Sequence, residues 1–235
     1  MAALAEKCKI WTVKSYGEYC PIAIGAEAIG DRWTPLVLRE LICGVDRFSD
    51  IHRGLPRMSR TLLSQRLKQL ERLGVVERRR GPTYHLTEAG RDLEALVWGL
   101  GDWAMQWLFG DPVKEHLDGA HLMWRVRQNL VPAELPDRRT IVQFDFPGAH
   151  RGRCVWLLLD PAGSSVCERD EGFDVDLHVT ADITEFLRVW MGRTTWAAAA
   201  DAGKLTLTGP PALVRSFPRW FSLSPFTTRA GGGGP

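Results

Sequence analysis

The chain of 235 residues carries a formal charge of only +2, with 45% hydrophobic and 25% charged residues. That is an ordinary globular composition, with room for one large or two small domains. No uncharged apolar run could span a bilayer, the N-terminus lacks the apolar core of a signal peptide, and Cys8, Cys20, Cys43, Cys154 and Cys167 form no C-x-x-C pair; a cytoplasmic protein with reduced thiols, no membrane partner and no metal is expected.

Residues 1–18 read as an N-terminal arm. Tyr19 to Ile29 is apolar and Ala-rich, with Pro21 placed to open a helix. Gly30-Asp31 breaks it, and Arg32 to Cys43 makes a second helix with Asp31 as its cap and Trp33, Leu36, Val37 and Leu41 as its buried side. Arg47 to Ile51 starts a short third helix, capped by Ser49 or Asp46, that runs to Leu55, where Pro56 stops it. Met58 to Leu86 then holds the most informative stretch. Ser59 caps a helix in which Leu63, Leu67 and Leu70 form one apolar stripe, with Met58 and Leu63 at staple positions and Gly74 as the stop. An Arg-rich hairpin turning at Gly81-Pro82 follows at once. Between Arg47 and Arg80 ten basic side chains face three acidic ones, a net +7 in a chain of +2. Helix, short helix, turn, polar-faced helix and basic hairpin is the order of a winged helix-turn-helix that binds double-stranded DNA.

The spaced motifs Cys20-Pro21, Ile29-Gly30, Trp33, Leu38-Arg39-Glu40-Leu41, Gly44, Arg47-Phe48, Ser59, Leu63, Leu67, Leu70-Glu71, Gly74-Val75-Val76 and Leu86-Thr87-Glu88-Ala89-Gly90 resemble the HxlR-type family of bacterial transcription regulators. The resemblance covers about residues 19–108, and the domain is set at 19–110. It implies a homodimer on a palindromic operator. The wing tip, Arg80 to Thr83, is shorter than is usual in the family. Thr87 caps a long helix, Glu88 to Phe109, whose stripe of Leu93, Leu96, Val97, Leu100, Trp103 and Trp107 must be covered, by a second subunit in the family or else by the same chain.

Val113 to Leu130 resumes helix, and then the pattern changes. Thr140–Phe146, Cys154–Leu159, Ser165–Arg169 and Val175–Thr180 read as strands. Asp182 caps a helix to Met191, Thr194 or Thr195 opens another to Ala200, Lys204–Thr208 is a last strand and Pro210–Phe221 a last helix. The expected class is α+β, with helices on one face of a sheet. This half, set at 111–228 before a disordered tail at 229–235, resembles the sterol-carrier-protein-like domain through the run from Val175 to Phe221. That resemblance implies an apolar cavity for a lipid or other hydrophobic small molecule.

No catalytic constellation stands out. The six histidines are scattered, Gly-rich phosphate loops are absent and no cofactor is expected; the chain reads as no enzyme. The expected DNA contacts are Ser59, Arg60, Thr61, Ser64, Gln65 and Lys68 from the recognition helix 59–73, where Arg60 and Gln65 suit guanine and adenine edges. Arg57, Arg78, Arg79 and Arg80, the last three in the wing at 75–87, would hold phosphates. An effector pocket would draw on Trp124, Phe144, Trp156, Phe186, Trp190, Trp196 and Trp220. Cys20, before a proline at a helix N-terminus where the dipole favours thiolate, is a redox candidate, in which case the second half is only a dimerisation scaffold. A third reading is a lipid-handling protein whose winged helix does not bind DNA.

Overall fold

The computed structural model describes residues 16–110 and 117–230. Most of the N-terminal arm, the first residues of the helix expected from Val113, and residues 231–235 lie outside that range. The chain divides into two compact units between Gly101 and Asp102.

The first unit runs α1 (Pro21–Ile29), α2 (Thr34–Ile42), α3 (Phe48–Arg53), α4 (Arg60–Arg72), β1 (Val76–Arg79), β2 (Thr83–Leu86), α5 (Glu88–Asp92) and α6 (Glu94–Trp107), whose last turns pass into the second unit. Its core holds most of the expected residues, but Trp33 and Leu36, expected on the buried side of α2, are only half-buried. Val37, Leu38, Leu41, Ile51, Met58, Leu63, Leu67 and Leu70 are all buried. Ser59 caps α4, its hydroxyl accepting from Leu62 N at 3.2 Å, and Gly74 leaves the helix at φ +70°, a conformation that favours glycine. The Leu-Thr-Glu-Ala-Gly motif also has a local reason. Thr87 Oγ1 accepts from Gly90 N and donates to Gly74 O at 2.6 Å, while a Cβ at Gly90 would run into the carbonyl of Val75.

Three boundaries differ from expectation. Asp31 does not cap α2; Trp33 is the N-cap, because Thr34 N bonds the Asp31 carbonyl in a preceding turn. Arg47, in extended conformation and with no side-chain cap, opens α3 in place of Ser49 or Asp46. The helix after Thr87 is two helices, parted at Leu93.

The second unit holds a five-stranded sheet in the order β5-β4-β3-β6-β7, built from β3 (Thr140–Asp145), β4 (Cys154–Asp160), β5 (Gly163–Cys167), β6 (Leu177–Ala181) and β7 (Leu205–Thr208). β3 and β6 are parallel and every other pair is antiparallel. Around it stand α7 (Gly119–Arg127), α8 (Ile183–Trp190), α9 (Trp196–Asp201), α10 (Pro211–Ser216) and α11 (Pro225–Ala230). The α+β class is as expected. Asp118 caps α7, so that helix starts at Gly119; Asp182 and Thr195 cap α8 and α9. α11 runs into the stretch expected to be a tail. Val142, Phe144, Val155, Leu157, Leu177 and Val179 turn one sheet face into the core, against Met123, Phe186 and Phe217.

Candidate nucleic-acid interface

The buried leucines of α4 decide what its other sides can do. With about 100° between successive residues, fixing Leu63, Leu67 and Leu70 inward puts Arg60, Thr61, Ser64, Gln65 and Lys68 on one outward arc. Ser59 and all of these are exposed except Ser64, which is half-buried.

Arg60 is not loose on that arc. Its guanidinium lies 5.5 Å from the centre of the Phe48 ring, the first residue of α3, in the range of a cation–π contact. The wing treats its arginines unequally. The β1–β2 register sets Arg78 opposite Tyr84, with the cation 6.0 Å over the ring. Arg79 shares a strand face with Glu77 and donates from Nε to its carboxylate at 2.7 Å. Arg57 and Arg80 are exposed.

Two basic side chains behave differently from what the charge count suggests. Arg47 is exposed, and its backbone bridges to Thr83 while Tyr84 N donates to Asp46 O at 2.9 Å. The wing therefore has a third backbone segment beside it, and that segment carries a cation. Sequence reasoning placed Arg47 in the charge total, in a spaced motif and at a helix start; the bridge pairs residues far apart in the chain, so no local signal shows it. Arg66 is the converse. It sits in the +7 segment, but it is half-buried and ion-paired with Asp31.

A family model described as HxlR-like helix-turn-helix matches residues 28–111. YvaP of Bacillus subtilis, an HTH-type transcriptional regulator, is 36% identical over 98 residues, which is 39% of this chain and 91% of that protein. The chain belongs to the HxlR-like helix-turn-helix family. It thereby joins the DNA-binding transcription regulators that the spaced motifs resemble. YodB of the same species is 37% identical over 94 residues, covering 37% of this chain and 84% of its own. A crystal structure of quinone-bound YodB aligns over 37% of this chain and 99% of that one at 34% identity, with a TM-score of 0.35. The HxlR-like match takes in all of α2 to α6 but begins within α1, so Cys20 lies before it. Cys20 is the N-cap residue of α1, half-buried, and Ile24 N bonds its carbonyl at 3.0 Å.

A UbiJ-SCP2 ubiquinone synthesis protein aligns over 44% of this chain and 76% of its own at 16% identity with a TM-score of 0.30; so low a likeness does not assign the second unit. Most of the aromatic side chains expected around an effector are core residues packed on one another. Phe144 and Phe186 meet at 5.8 Å, Phe186 and Trp196 at 5.3 Å, and Trp220 reaches the same group through Phe217 at 5.5 Å. Trp156 does not join them. It pairs with Gln143, one residue from Phe144, so it lies on the other sheet face, where Phe173 covers it at 6.0 Å. Trp124 stacks under Arg127 at 4.3 Å. Asp145 accepts from the Cys154 thiol, and burial, followed by that bond and the Asp145 charge, pushes this thiol up to about 12.

Proposed function

We propose that this regulator binds a palindromic operator as a homodimer, with α4 in the major groove and the β1–β2 wing along the backbone. The observation that carries the reading is the sorting of side chains on α4. Its inward stripe is wholly apolar and its outward arc is wholly polar, and that arc opens with an arginine steadied on Phe48. Ser59, Arg60, Thr61, Ser64, Gln65 and Lys68 would face the groove, and Arg57, Arg78, Arg79 and Arg80 the phosphates. Selection of a duplex from a random pool by the full chain, followed by titration across a salt series, tests this. A steep loss of affinity with salt and a two-fold symmetric selected site are expected. No enrichment above non-specific binding would remove the reading.

Dimerisation is supported by apolar surface that one chain leaves open. Tyr19, Ile22, Leu96 and Leu100 are exposed, and Ile29, Pro35, Leu96 and Leu100 help line an apolar groove of about 250 Å³ in the first unit. Leu100→Asp should turn a dimer into a monomer in sedimentation; a monomeric wild type would refute this.

For the second unit, we propose an apolar effector bearing a hydrogen-bond acceptor. In its favour, the indole N–H groups of Trp190 and Trp220 are buried and meet no acceptor among the described residues, a costly arrangement that a ligand carbonyl would relieve. A panel of apolar carbonyl compounds should raise the unfolding temperature and change DNA affinity; no shift with any of them counts against it. The dense ring packing favours a second reading, in which this unit is a scaffold and Cys20 senses oxidants. A Cys20→Ser chain that still releases DNA on oxidation would refute that one.

A further inference from the structure

We propose that Asp31, Arg66 and Gln69 form a clamp that sets the rotation of the recognition helix about its own axis, making Asp31 and Arg66 positioning residues for DNA recognition. The inference rests on the reading of α4 as the groove-binding helix.

Asp31 stands in the corner between α1 and α2. Its carbonyl takes Thr34 N at 2.9 Å, but its carboxylate caps nothing in α2. Instead it turns to α4 and pairs with Arg66. Arg66 Nη1 also donates to Gln69 Oε1 at 2.6 Å, and Gln69 Nε2 donates back to Asp31 Oδ2 at 3.4 Å. The three side chains close a ring of charge-assisted bonds. Their exposure is partial, 27% for the Asp31 side chain and 21% for that of Arg66, so the ring is shielded on one side without a fully buried charge. Arg66 and Gln69 are three apart and share a helix face. That face is the flank between the leucine stripe and the polar arc.

The location matters because the two ways of holding α4 fix different things. Packing of Leu63, Leu67 and Leu70 sets the depth of the helix, yet apolar contact is non-directional. Directional bonds on the flank fix the angle. At a side-chain radius of about 5–6 Å, a rotation of about 10° shifts the tips on the polar arc by about 1 Å. Base-edge hydrogen bonds weaken steeply over such a displacement. A residue that touches no DNA can thus govern how well Arg60 and Gln65 reach it.

The sign of one substitution separates this role from simple electrostatics. Asp31→Ala deletes a negative charge from the DNA-binding unit. If charge alone acted, binding would tighten or stay level. If the clamp positions α4, binding weakens, by about fivefold or more. The probe is the duplex that the wild-type chain selects from a random pool. The salt slope should not fall below the wild-type value, since no phosphate contact is lost, and amide exchange along α4 in the free protein should speed up. Gln69→Ala, which changes no charge, should weaken binding in the same direction and covers the case in which Asp31→Ala fails to fold. Equal or tighter binding by folded Asp31→Ala, with α4 exchange unchanged, overturns the clamp while Arg60→Ala still weakens binding. A wild type that selects no duplex overturns the DNA reading itself, and the clamp falls with it.

Discussion

Replacing Arg60 by alanine has two consequences that the structure keeps apart. On the free chain it removes a guanidinium 5.5 Å from the Phe48 ring. At an exposed position such a contact stabilises by about 0.5–1 kcal/mol, and alanine is at least as good a helix former, so the unfolding midpoint should move little. On the proposed complex it removes the side chain assigned to a guanine edge from the first turn of α4. A bidentate contact of that kind contributes about 1–3 kcal/mol, or roughly 5- to 150-fold in affinity. The loss of affinity should therefore clearly exceed the loss of stability. Phe48→Leu keeps apolar bulk under α3 and removes only the ring face, so it should weaken DNA binding by less. The double variant should bind like Arg60→Ala alone, because Phe48 acts on DNA through Arg60. Anisotropy titrations of the four proteins against the selected duplex, at several salt concentrations, make the comparison. Arg60→Ala within twofold of wild type at every salt concentration, or losses that simply add in the double variant, would show that the Arg60–Phe48 pair does not serve recognition.

Glu77→Gln frees Arg79 from the carboxylate it holds at 2.7 Å; non-specific duplex binding should tighten and the salt slope should steepen by about one phosphate's worth. Leu67→Ala empties a site only 1% exposed between α4 and the rest of the first unit, and should lower stability by about 2–5 kcal/mol in urea unfolding. Cys154 titrates near 12 in the fold against 9.0 ordinarily. Over that window the unfolded chain has lost the thiol proton and the folded chain still holds it, so stability falls as pH rises. The urea midpoint of wild type should therefore decline more between pH 9 and about 12 than that of Cys154→Ala.

The elements that sequence made legible are those whose cause is local. The α4 helix, its Ser59 cap and its stop at Gly74 depend on spacing and on residues within a turn or two. So do the Asp182 cap of α8 and the Thr195 cap of α9. The alternating strands were also readable, with edges shifted by one or two residues. The expected helix from Glu88 to Phe109 is parted at Leu93. Gly90 lies close to Val75 O before that break, and α6 sets off after it. On α6 the buried residue is Trp98, which the expected stripe left out, while Leu96, Leu100, Trp103 and Trp107 of that stripe are exposed. A pattern of apolar residues says that a face must be covered; it does not say which chain covers it.

The interface shows the same division at the level of single side chains. Exposure of the polar arc on α4 follows from the leucine spacing alone, so Arg60, Gln65 and Lys68 were nameable without coordinates. What each charge does depends on partners distant in sequence. Asp31 looked like a cap because it precedes a helix, yet Arg66, thirty-five positions on, takes its carboxylate. Arg47 looked like a helix start, and its backbone pairs with Thr83 of the wing. Phe48 entered only as part of a spaced motif, and it carries Arg60 on its ring. The ten cations between Arg47 and Arg80 thus overstate the number free to meet DNA. Arg66 is spent on Asp31 and Arg79 on Glu77, while Arg57, Arg60, Lys68 and Arg80 remain directed outward. The salt slope of the wild-type complex should accordingly report fewer neutralised phosphates than the segment has cations. On the proposed reading, the ion pairs within the unit trade affinity for a defined geometry of the recognition helix.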